Sequence, residues 1–459
     1  MSDDAQRNPG VTADTICAVA TPPGAGGLGI VRVSGPAVPV IAEAIAGQLP
    51  LPRLATLSAF LDADGEVIDA GIALYFPAPH SFTGEHVLEL QGHGGRYILN
   101  RVMQRVLELG ARVARPGEFS ERAFLNDKID LVQAEAIADL IESGSDAAAR
   151  AALRSLQGDF SRRIQDVQEK LTGLRVFVES AIDFPDEEID FLAESDVNER
   201  VEAVAQQLAD LLAAARQGRL LRDGIVLAII GRPNAGKSSL LNALSGQETA
   251  IVTEFPGTTR DVLREHIEID GIPVHVADTA GIRDTVDVIE AEGVRRAREV
   301  LDQADIVLLV EDARDVIAGT PGLGSELKTR APVILAGNKI DLLSESEQKT
   351  MQREVTPRRV WISAKTGQGL PDLKRTICRE VGGAESTEGS FSARQRHVEA
   401  VKTARNHLLS GKSAMESTGA GELLAEELRL AQSALGQITG EMLPDDLLGE
   451  IFSTFCIGK

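Results

Sequence analysis

The stretch Gly231-Arg-Pro-Asn-Ala-Gly-Lys-Ser238 has the residue types and spacing of a phosphate cradle, G-x-x-x-x-G-K-[ST]. Its glycines let backbone N–H groups close around phosphate oxygens, and a following helix N-terminus adds partial positive charge. Lys237 has the reach and charge for the terminal phosphates, and the Ser238 hydroxyl is a hard oxygen suited to Mg²⁺. Such chemistry works only when a strand aims the loop and a helix backs it. Ile225-Val-Leu-Ala-Ile-Ile230 is a short apolar run that reads as a buried parallel strand, and Ser239-Leu-Leu-Asn-Ala-Leu244 reads as the opening turns of a helix.

A second set of residues suits a base. Asn338-Lys339-Ile-Asp341 comes after Ala331-Pro-Val-Ile-Leu-Ala-Gly337, another buried-strand pattern. An aspartate carboxylate at Asp341 accepts two hydrogen bonds from the N1–H and 2-amino group of guanine; adenine offers no such donor pair. This looks like the guanine signature N-K-x-D of GTPases. Ser363-Ala364-Lys365, after the strand-like Val360-Trp-Ile, resembles the loop that supports the same base. Asp278-Thr279-Ala280-Gly281, after Val274-His-Val-Ala277, resembles the D-x-x-G switch, in which Asp278 holds the Mg²⁺ shell and the Gly281 N–H senses the γ-phosphate. The order and approximate spacing of the four signals predict GTP binding in a doubly wound α/β domain over residues 223–382.

Composition bounds the rest. At 459 residues the length suggests about three domains, and 43% hydrophobic residues can build substantial cores. A net charge of −22 argues against coating nucleic acid by bulk electrostatics, and 3% aromatic residues disfavour a base-stacking platform. A nucleic-acid partner then needs a local basic patch or a helper subunit. Cys17, Cys378 and Cys456 are too scattered for a disulfide framework or a C-x-x-C metal site, which fits a reducing, cytoplasmic compartment. The acidic N-terminus lacks the apolar run of a signal peptide, and no apolar run reaches the ~20 residues of a membrane span.

Along the chain, residues 1–13 read as a tail. Thr15–Val19 and Ile30–Val33 read as strands flanking a Pro/Gly turn. Gly24-Ala-Gly-Gly-Leu-Gly29 matches the dinucleotide fingerprint G-x-G-x-x-G, but the residues after it are strand-like rather than helical, so it reads as a decoy. Val67–Phe76 and Val87–Leu90 are further strands, Gln91-Gly-His-Gly-Gly95 reads as a turn, and Tyr97–Leu109 has helical spacing. His86 and His93 lie near Glu85 and Glu89 without a recognised metal spacing and read as structural or solvated. Helical periodicity runs from Leu131 to about Arg222, interrupted at Phe184-Pro-Asp-Glu-Glu-Ile-Asp190, where crowded carboxylates suit a solvated turn more often than a metal or acid–base site. Helical character resumes from Ala393 to Gln437. With few aromatic residues in either part, the two helical stretches are expected to pack on each other with the nucleotide domain inserted between them. The division expected is 1–127 mixed α/β, 128–222 helical, 223–382 nucleotide-binding, and 383–459 helical with a tail. Cys456, fourth from the end before Ile-Gly-Lys, mimics a prenylation box with the wrong final residues; a functional thiol or a ligand-contacting tail stays open.

These motifs, with Ala20-Thr-Pro-Pro-Gly24, Glu89-Leu-Gln-Gly-His-Gly-Gly95, Arg115-Pro-Gly-Glu-Phe-Ser-Glu-Arg-Ala-Phe-Leu-Asn126, Asp183–Asp190, Gly257-Thr-Thr-Arg-Asp261 and Phe455-Cys-Ile-Gly-Lys459, resemble the MnmE/TrmE family of tRNA wobble-uridine modification GTPases across nearly the whole chain. The resemblance implies an N-terminal folate-binding dimerisation domain, a discontinuous helical domain and an inserted P-loop GTPase domain. It implies a homodimer that joins an FAD-dependent MnmG/GidA partner in a heterotetramer. That complex places an aminomethyl or carboxymethylaminomethyl group on C5 of the wobble uridine of tRNA, with a tetrahydrofolate derivative as one-carbon donor. By the same resemblance Arg32, Glu89, Lys128 and Lys459 contact the folate.

In the GTPase domain the resemblance draws nucleotide contacts from Asn234, Ala235, Gly236, Lys237, Ser238 and Ser239, and from the switch Thr253-Glu254-Phe255-Pro256-Gly257-Thr258-Thr259. Ser238 and Thr259 ligate Mg²⁺. Ile282, apolar where many GTPases place a water-orienting glutamine, cannot orient water, and the resemblance gives that role to Glu290; Glu290 and Lys237 form the catalytic set. By the same resemblance K⁺, held by Asn234, Thr253, Phe255 and Thr258, would replace an arginine finger by offsetting developing negative charge, and would drive association of the GTPase domains. The competing reading is a regulatory or ribosome-assembly GTPase switch. Such proteins usually carry a second GTPase domain or a basic RNA-binding module, and neither is visible.

Overall fold

The computed structural model describes residues 14–183, 196–245, 263–278, 301–320, 329–344, 346–348, 356–383, 389–418, 421–441, 445–456 and 458. The chain divides into two compact units: Met1–Ala138 with Gln432–Lys459, and Asp139–Ala431.

The first unit is built on a six-stranded mixed sheet. Its strands are β1 (Ile16–Val19), β2 (Gly26–Ser34), β3 (Thr56–Leu61), β4 (Val67–Phe76), β5 (Val87–Gly94) and β6 (Arg112–Val113), in the order β3-β4-β5-β2-β1-β6. All neighbours are antiparallel except β1 and β6. The period of two sorts the side chains: Val31 and Val33 are wholly buried, while Arg32 between them lies on the other face. The buried face packs beneath α1 (Val38–Ala46) and α2 (Arg96–Glu108), where Ile41, Ile45, Val102 and Val106 meet Leu88 and Leu90.

The expected turn at Gln91–Gly95 is corrected: β5 runs on to Gly94. Its glycines are there for proximity. Gly92 and Gly94 pair with Gly29 and Gly26, and a Cβ at Gly94 would stand 2.5 Å from the Gly26 carbonyl oxygen. The Gly24–Gly29 run falls on the loop into β2 and on β2 itself, so no helix succeeds it.

Two short helices close this unit, α3 (Glu118–Leu125) and, from the far end of the sequence, Asp445–Ser453. Phe452 and Phe455 join Leu131 and Ala134 in a small core, with Phe452 tilted against Phe124 at 6.2 Å. At Gly117 the approach is so close that a Cβ would meet the Phe452 carbonyl oxygen at 2.4 Å.

In the second unit, α4 (Leu131–Glu142) contributes its last residues from Asp139 on. Then come α5 (Asp146–Leu156), α6 (Asp159–Asp183) and α7 (Asp196–Asp223). Ser145 caps α5, its Oγ accepting from Ala148 N at 3.1 Å. A second six-stranded sheet comes next: β7 (Ile225–Gly231), β8 (Leu263–Ile269), β9 (Ile272–Asp278), β10 (Ile306–Asp312), β11 (Val333–Asn338) and β12 (Arg359–Trp361), in the order β12-β11-β10-β7-β9-β8. All pairs are parallel except β8 with β9. The central strands are almost continuously apolar: Ile306 through Val310 are buried without a break, as strands covered on both faces must be. The connecting helices are α8 (Lys237–Ser245), α9 (Ala313–Ile317) and α10 (Leu370–Glu380). The helices α11 (Gln395–Thr418) and α12 (Gly421–Thr439) come after the sheet.

Helical segments from before and after the sheet meet directly. Phe391 stacks on Phe160 with centroids 4.3 Å apart, both rings fully buried, and a Cβ at Gly218 would lie 2.2 Å from the Phe391 carbonyl oxygen. Asp139 gathers both crossings: it accepts from Arg222 Nε at 2.7 Å, just before β7, and from Ser392 Oγ at 2.5 Å and Arg394 Nη2 at 2.9 Å, just after the nucleotide segment. Among the described residues no helix is long and apolar enough to cross a membrane.

Candidate nucleotide site

The loop from Gly231 to Lys237 leaves the carboxyl end of β7, a central strand flanked by β10 and β9, which is where open α/β sheets hold ligands. Its curvature comes from two left-handed residues, Asn234 at φ 63° and Gly236 at φ 96°. A backbone bent this way turns successive N–H groups toward one concavity, an anion nest completed by the unsatisfied N–H groups of the first turn of α8. Lys237 opens α8, and its Nζ folds over the loop, donating to the carbonyl oxygens of Gly231 at 3.0 Å and Arg232 at 3.2 Å. Ser238 and Ser239 are exposed in the same first turn.

Two strands away, β11 delivers the second loop. Asn338 is 2% exposed and acts as a three-way staple. Its Nδ2 donates to the Ala235 carbonyl oxygen at 2.9 Å, and its Oδ1 accepts from Lys339 N at 2.8 Å and Ala364 N at 3.0 Å. One side chain thereby ties the Gly231–Lys237 loop, the Asn338–Asp341 loop and the Ser363–Lys365 loop. Asp341, in the short turn Ile340–Leu342, accepts from Ser363 Oγ at 2.7 Å, and Ser363 is wholly buried. That contact occupies Asp341 Oδ1 and orients the carboxylate; Lys365 is exposed at the same loop. Lys339 reaches back, its Nζ donating to the Asn234 carbonyl oxygen at 2.6 Å.

Asp312, at the end of β10, is a residue that no sequence motif marks. Its Oδ2 lies 3.0 Å from Lys339 Nζ, and its side chain also caps α9 by accepting from Arg314 N at 3.0 Å. Hydrogen bonds from Arg314, with Lys339 alongside, hold its carboxyl well below the usual carboxylate range, against the opposing effect of burial. It borders a cavity of about 220 Å³ beside Asn234, Arg314 and Lys339. The signal available in the sequence was positional: an acidic residue ending a buried apolar strand, where a parallel sheet presents its ligands.

The structure thus brings together Asn234, Ala235, Lys237, Asn338, Lys339, Asp341, Ser363 and Ala364. A Cβ on Gly236 would stand 2.3 Å from Asn338 Nδ2, so these loops touch only because position 236 has no side chain. Asp278 ends β9, next to β7. Thr253, Glu254, Phe255, Pro256, Gly257, Thr258, Thr259, Thr279, Ala280, Gly281 and Glu290 lie outside the described residues, as do the carboxylates of Phe184–Asp190 and Lys459.

A separate cluster occupies the first unit. Arg32 and Glu89 face each other across β2 and β5, with Arg32 Nε and Nη2 donating to Glu89 Oε1 at 3.1 and 2.9 Å. Gln91 Nε2 donates to Glu89 Oε2 at 3.2 Å, and Arg32 Nη1 donates to the Gly458 carbonyl oxygen at 3.1 Å. Lys128 is exposed on the segment after α3, beside Gly84. Asp69 accepts from His93 N and Nδ1, each at 2.8 Å, so this histidine has a structural partner.

The sequence is similar to known proteins along nearly its whole length. Residues 15–128 match the family profile described as the GTP-binding protein TrmE N-terminus, and residues 131–456 match the MnmE helical domain. The protein called tRNA modification GTPase MnmE in Marinobacter nauticus is 54% identical over 451 residues, covering 97% of this chain and 99% of that one. Its namesake in Pseudomonas syringae pv. tomato is 56% identical over 457 residues, 98% of this chain and 100% of the other. That of Chromohalobacter salexigens is 56% identical over 451 residues, 97% and 98% of the two chains. With a nucleotide cradle at its centre and likeness to these relatives along its length, the chain belongs to the MnmE family of GTPases.

Proposed function

We propose that this chain binds and hydrolyses GTP as a subunit of a tRNA modification complex. The observation that carries the reading is the Asn338 staple: a phosphate cradle and a guanine loop are held in one rigid frame, 2.9 Å apart at the Ala235 contact. Within it, Asp341 reads the guanine edge, and the nest over Asn234–Ser239 with the Lys237 ammonium binds the β- and γ-phosphates. Among the described residues Lys237 Nζ is held over the loop by the backbone carbonyls of Gly231 and Arg232, weak acceptors that it exchanges for phosphate.

The donor set fits hard cations. Ser238 is exposed in the first turn of α8, and Asn234 is exposed in the loop with a left-handed backbone. Ser238 with Thr259 would hold Mg²⁺, and Asn234 with Thr253, Phe255 and Thr258 would hold K⁺; these ions supply positive charge against the negative charge that develops on the phosphates. Glu290 orients water, and Asp278 supports the Mg²⁺ shell.

The same proposal covers the finer activity. The complex adds an aminomethyl or carboxymethylaminomethyl group to C5 of the wobble uridine, with an FAD-dependent MnmG/GidA subunit as partner and a tetrahydrofolate derivative as donor. Arg32, Glu89, Lys128 and Lys459 recognise the folate. Arg32 suits a glutamate carboxylate and Glu89 the amide and amine edge of a pterin. The chain acts as a cytoplasmic homodimer, divided functionally at about residues 127, 222 and 382.

The test pairs two measurements. Nucleosides of tRNA from a strain lacking the gene are expected to lose the C5 modification, and GTP turnover by the purified chain is expected to rise in K⁺ relative to Na⁺. Normal wobble uridines in the deletion strain would favour the regulatory switch instead; equal turnover in both salts would remove the cation role.

A further inference from the structure

We propose that Asp312 is a positioning residue for GTP: acting through Lys339, its carboxylate fixes the guanine loop against the phosphate loop and so sets how tightly nucleotide is held. The proposal rests on the GTP-binding reading above.

Strand order puts the residues in place. The phosphate loop leaves β7, the guanine loop leaves β11, and β10 lies between them. Asp312 is the last residue of β10, in register with Asn338 of β11. Its Oδ2 accepts from Lys339 Nζ at 3.0 Å, and the same Nζ donates to the Asn234 carbonyl oxygen at 2.6 Å. The Asp312–Lys339–Asn234 chain therefore links three adjacent strand ends.

Lys339 needs an anchor. Its backbone is left-handed at φ 68°, a conformation that costs a residue with a Cβ about 1 kcal/mol or more and persists only when its surroundings over-determine it. A neutral carbonyl alone is a weak hold on an ammonium. A carboxylate whose own side chain is 10% exposed and pinned by Arg314 Nε at 2.9 Å and Nη2 at 2.7 Å is a strong one, because it is immobilised before Lys339 arrives. Preorganisation of this kind appears as affinity, since less ordering remains to be done when the ligand binds.

Asp312 has two tasks, capping α9 and holding Lys339, and chemistry separates them. Asparagine is as good an N-cap as aspartate but carries no charge. In the full-length chain, Asp312→Asn, which keeps the cap, is expected to lower the melting temperature less than Asp312→Ala while raising the Kd for a fluorescent GDP analogue and the KM for GTP about tenfold, the effect of losing one charged hydrogen bond, with kcat within about twofold of the original. Lys339→Met should weaken binding at least as much, and the Asp312→Asn/Lys339→Met double variant should be no weaker than Lys339→Met alone, because both changes break one link. Asp315→Asn, an adjacent carboxylate on the same cavity, should leave Kd unchanged. Asp312→Ala, which also removes the cap, should lower the melting temperature as well. Wild-type Kd in Asp312→Asn, or additive losses in the double variant, overturns the inference alone. A wild-type chain that takes up no GDP overturns the GTP reading and this inference with it.

Discussion

At Gly236 two loops separated by about a hundred positions come within contact, and the missing side chain is what lets them. Adding one methyl group there sets a Cβ 2.3 Å from Asn338 Nδ2 and asks alanine to hold φ 96°. Strain of about 1–3 kcal/mol and loss of the staple's hydrogen bond to Ala235 act together. Gly236→Ala is therefore expected to lower GTP affinity about 100-fold or more, by calorimetry, while circular dichroism shows the helices and sheets intact; retained affinity would mean that the staple does not hold the loops. Gly236 with Lys237, and Asn338 with Asp341, each fall in a short motif that the sequence shows directly, and the structure brings the two motifs together. Asp312 was legible only as an acidic residue at a strand end; its meaning depends on a partner 27 positions away that only the β10–β11 register reveals. Arg32 and Glu89 were reachable only by family resemblance, since an arginine and a glutamate so far apart in sequence look like two surface charges until β2 lies beside β5.

At the scale of elements, the strands with a clear period or an unbroken apolar run were readable, and β4 spans the expected Val67–Phe76. The error at β5 has a physical origin. Glycine marks turns by its freedom at positive φ, but at Gly92 and Gly94 it serves close backbone pairing, and one sequence cannot distinguish the two uses. The helical packing shows the same limit. Few aromatic residues exist to build a core, yet Phe160 and Phe391 meet face to face at 4.3 Å, with Arg163 5.2 Å from the Phe391 centroid. This pair fastens the segment after the nucleotide sheet to the helices before it. Phe391→Ala opens a cavity in a site with no exposure, and a cost of about 3–5 kcal/mol is expected from denaturant unfolding followed in the helical signal. Phe391→Leu, which keeps most of the volume, should recover more than half of that loss.

At the scale of the whole chain, the first compact unit is made of two pieces that are distant in sequence, while the second is one continuous stretch. The first unit takes its final helix from Asp445–Ser453, its small core from Phe452 and Phe455, and a ligand for Arg32 from Gly458. Ending the chain at Glu441 removes two buried phenylalanines, each worth about 3–5 kcal/mol in a core. For a unit of this size that predicts a fall of roughly 12 °C or more in the melting transition of the first unit. Nucleotide binding in the second unit should survive, since the described loops of the nucleotide site all come from residues before 383. A single unshifted transition in calorimetry would show that the C-terminal helix adds nothing to the sheet domain.

The Gly117–Phe452 contact has a consequence for biosynthesis. Ribosomes deliver a polypeptide from its amino end, and domains generally fold as they emerge. Here the first sheet to appear must wait, with α3 uncovered, until more than three hundred further residues have been translated and the helix that seals it arrives. The nucleotide-binding segment is synthesised during that interval. All of the second unit is therefore translated before the helix that seals the first one exists.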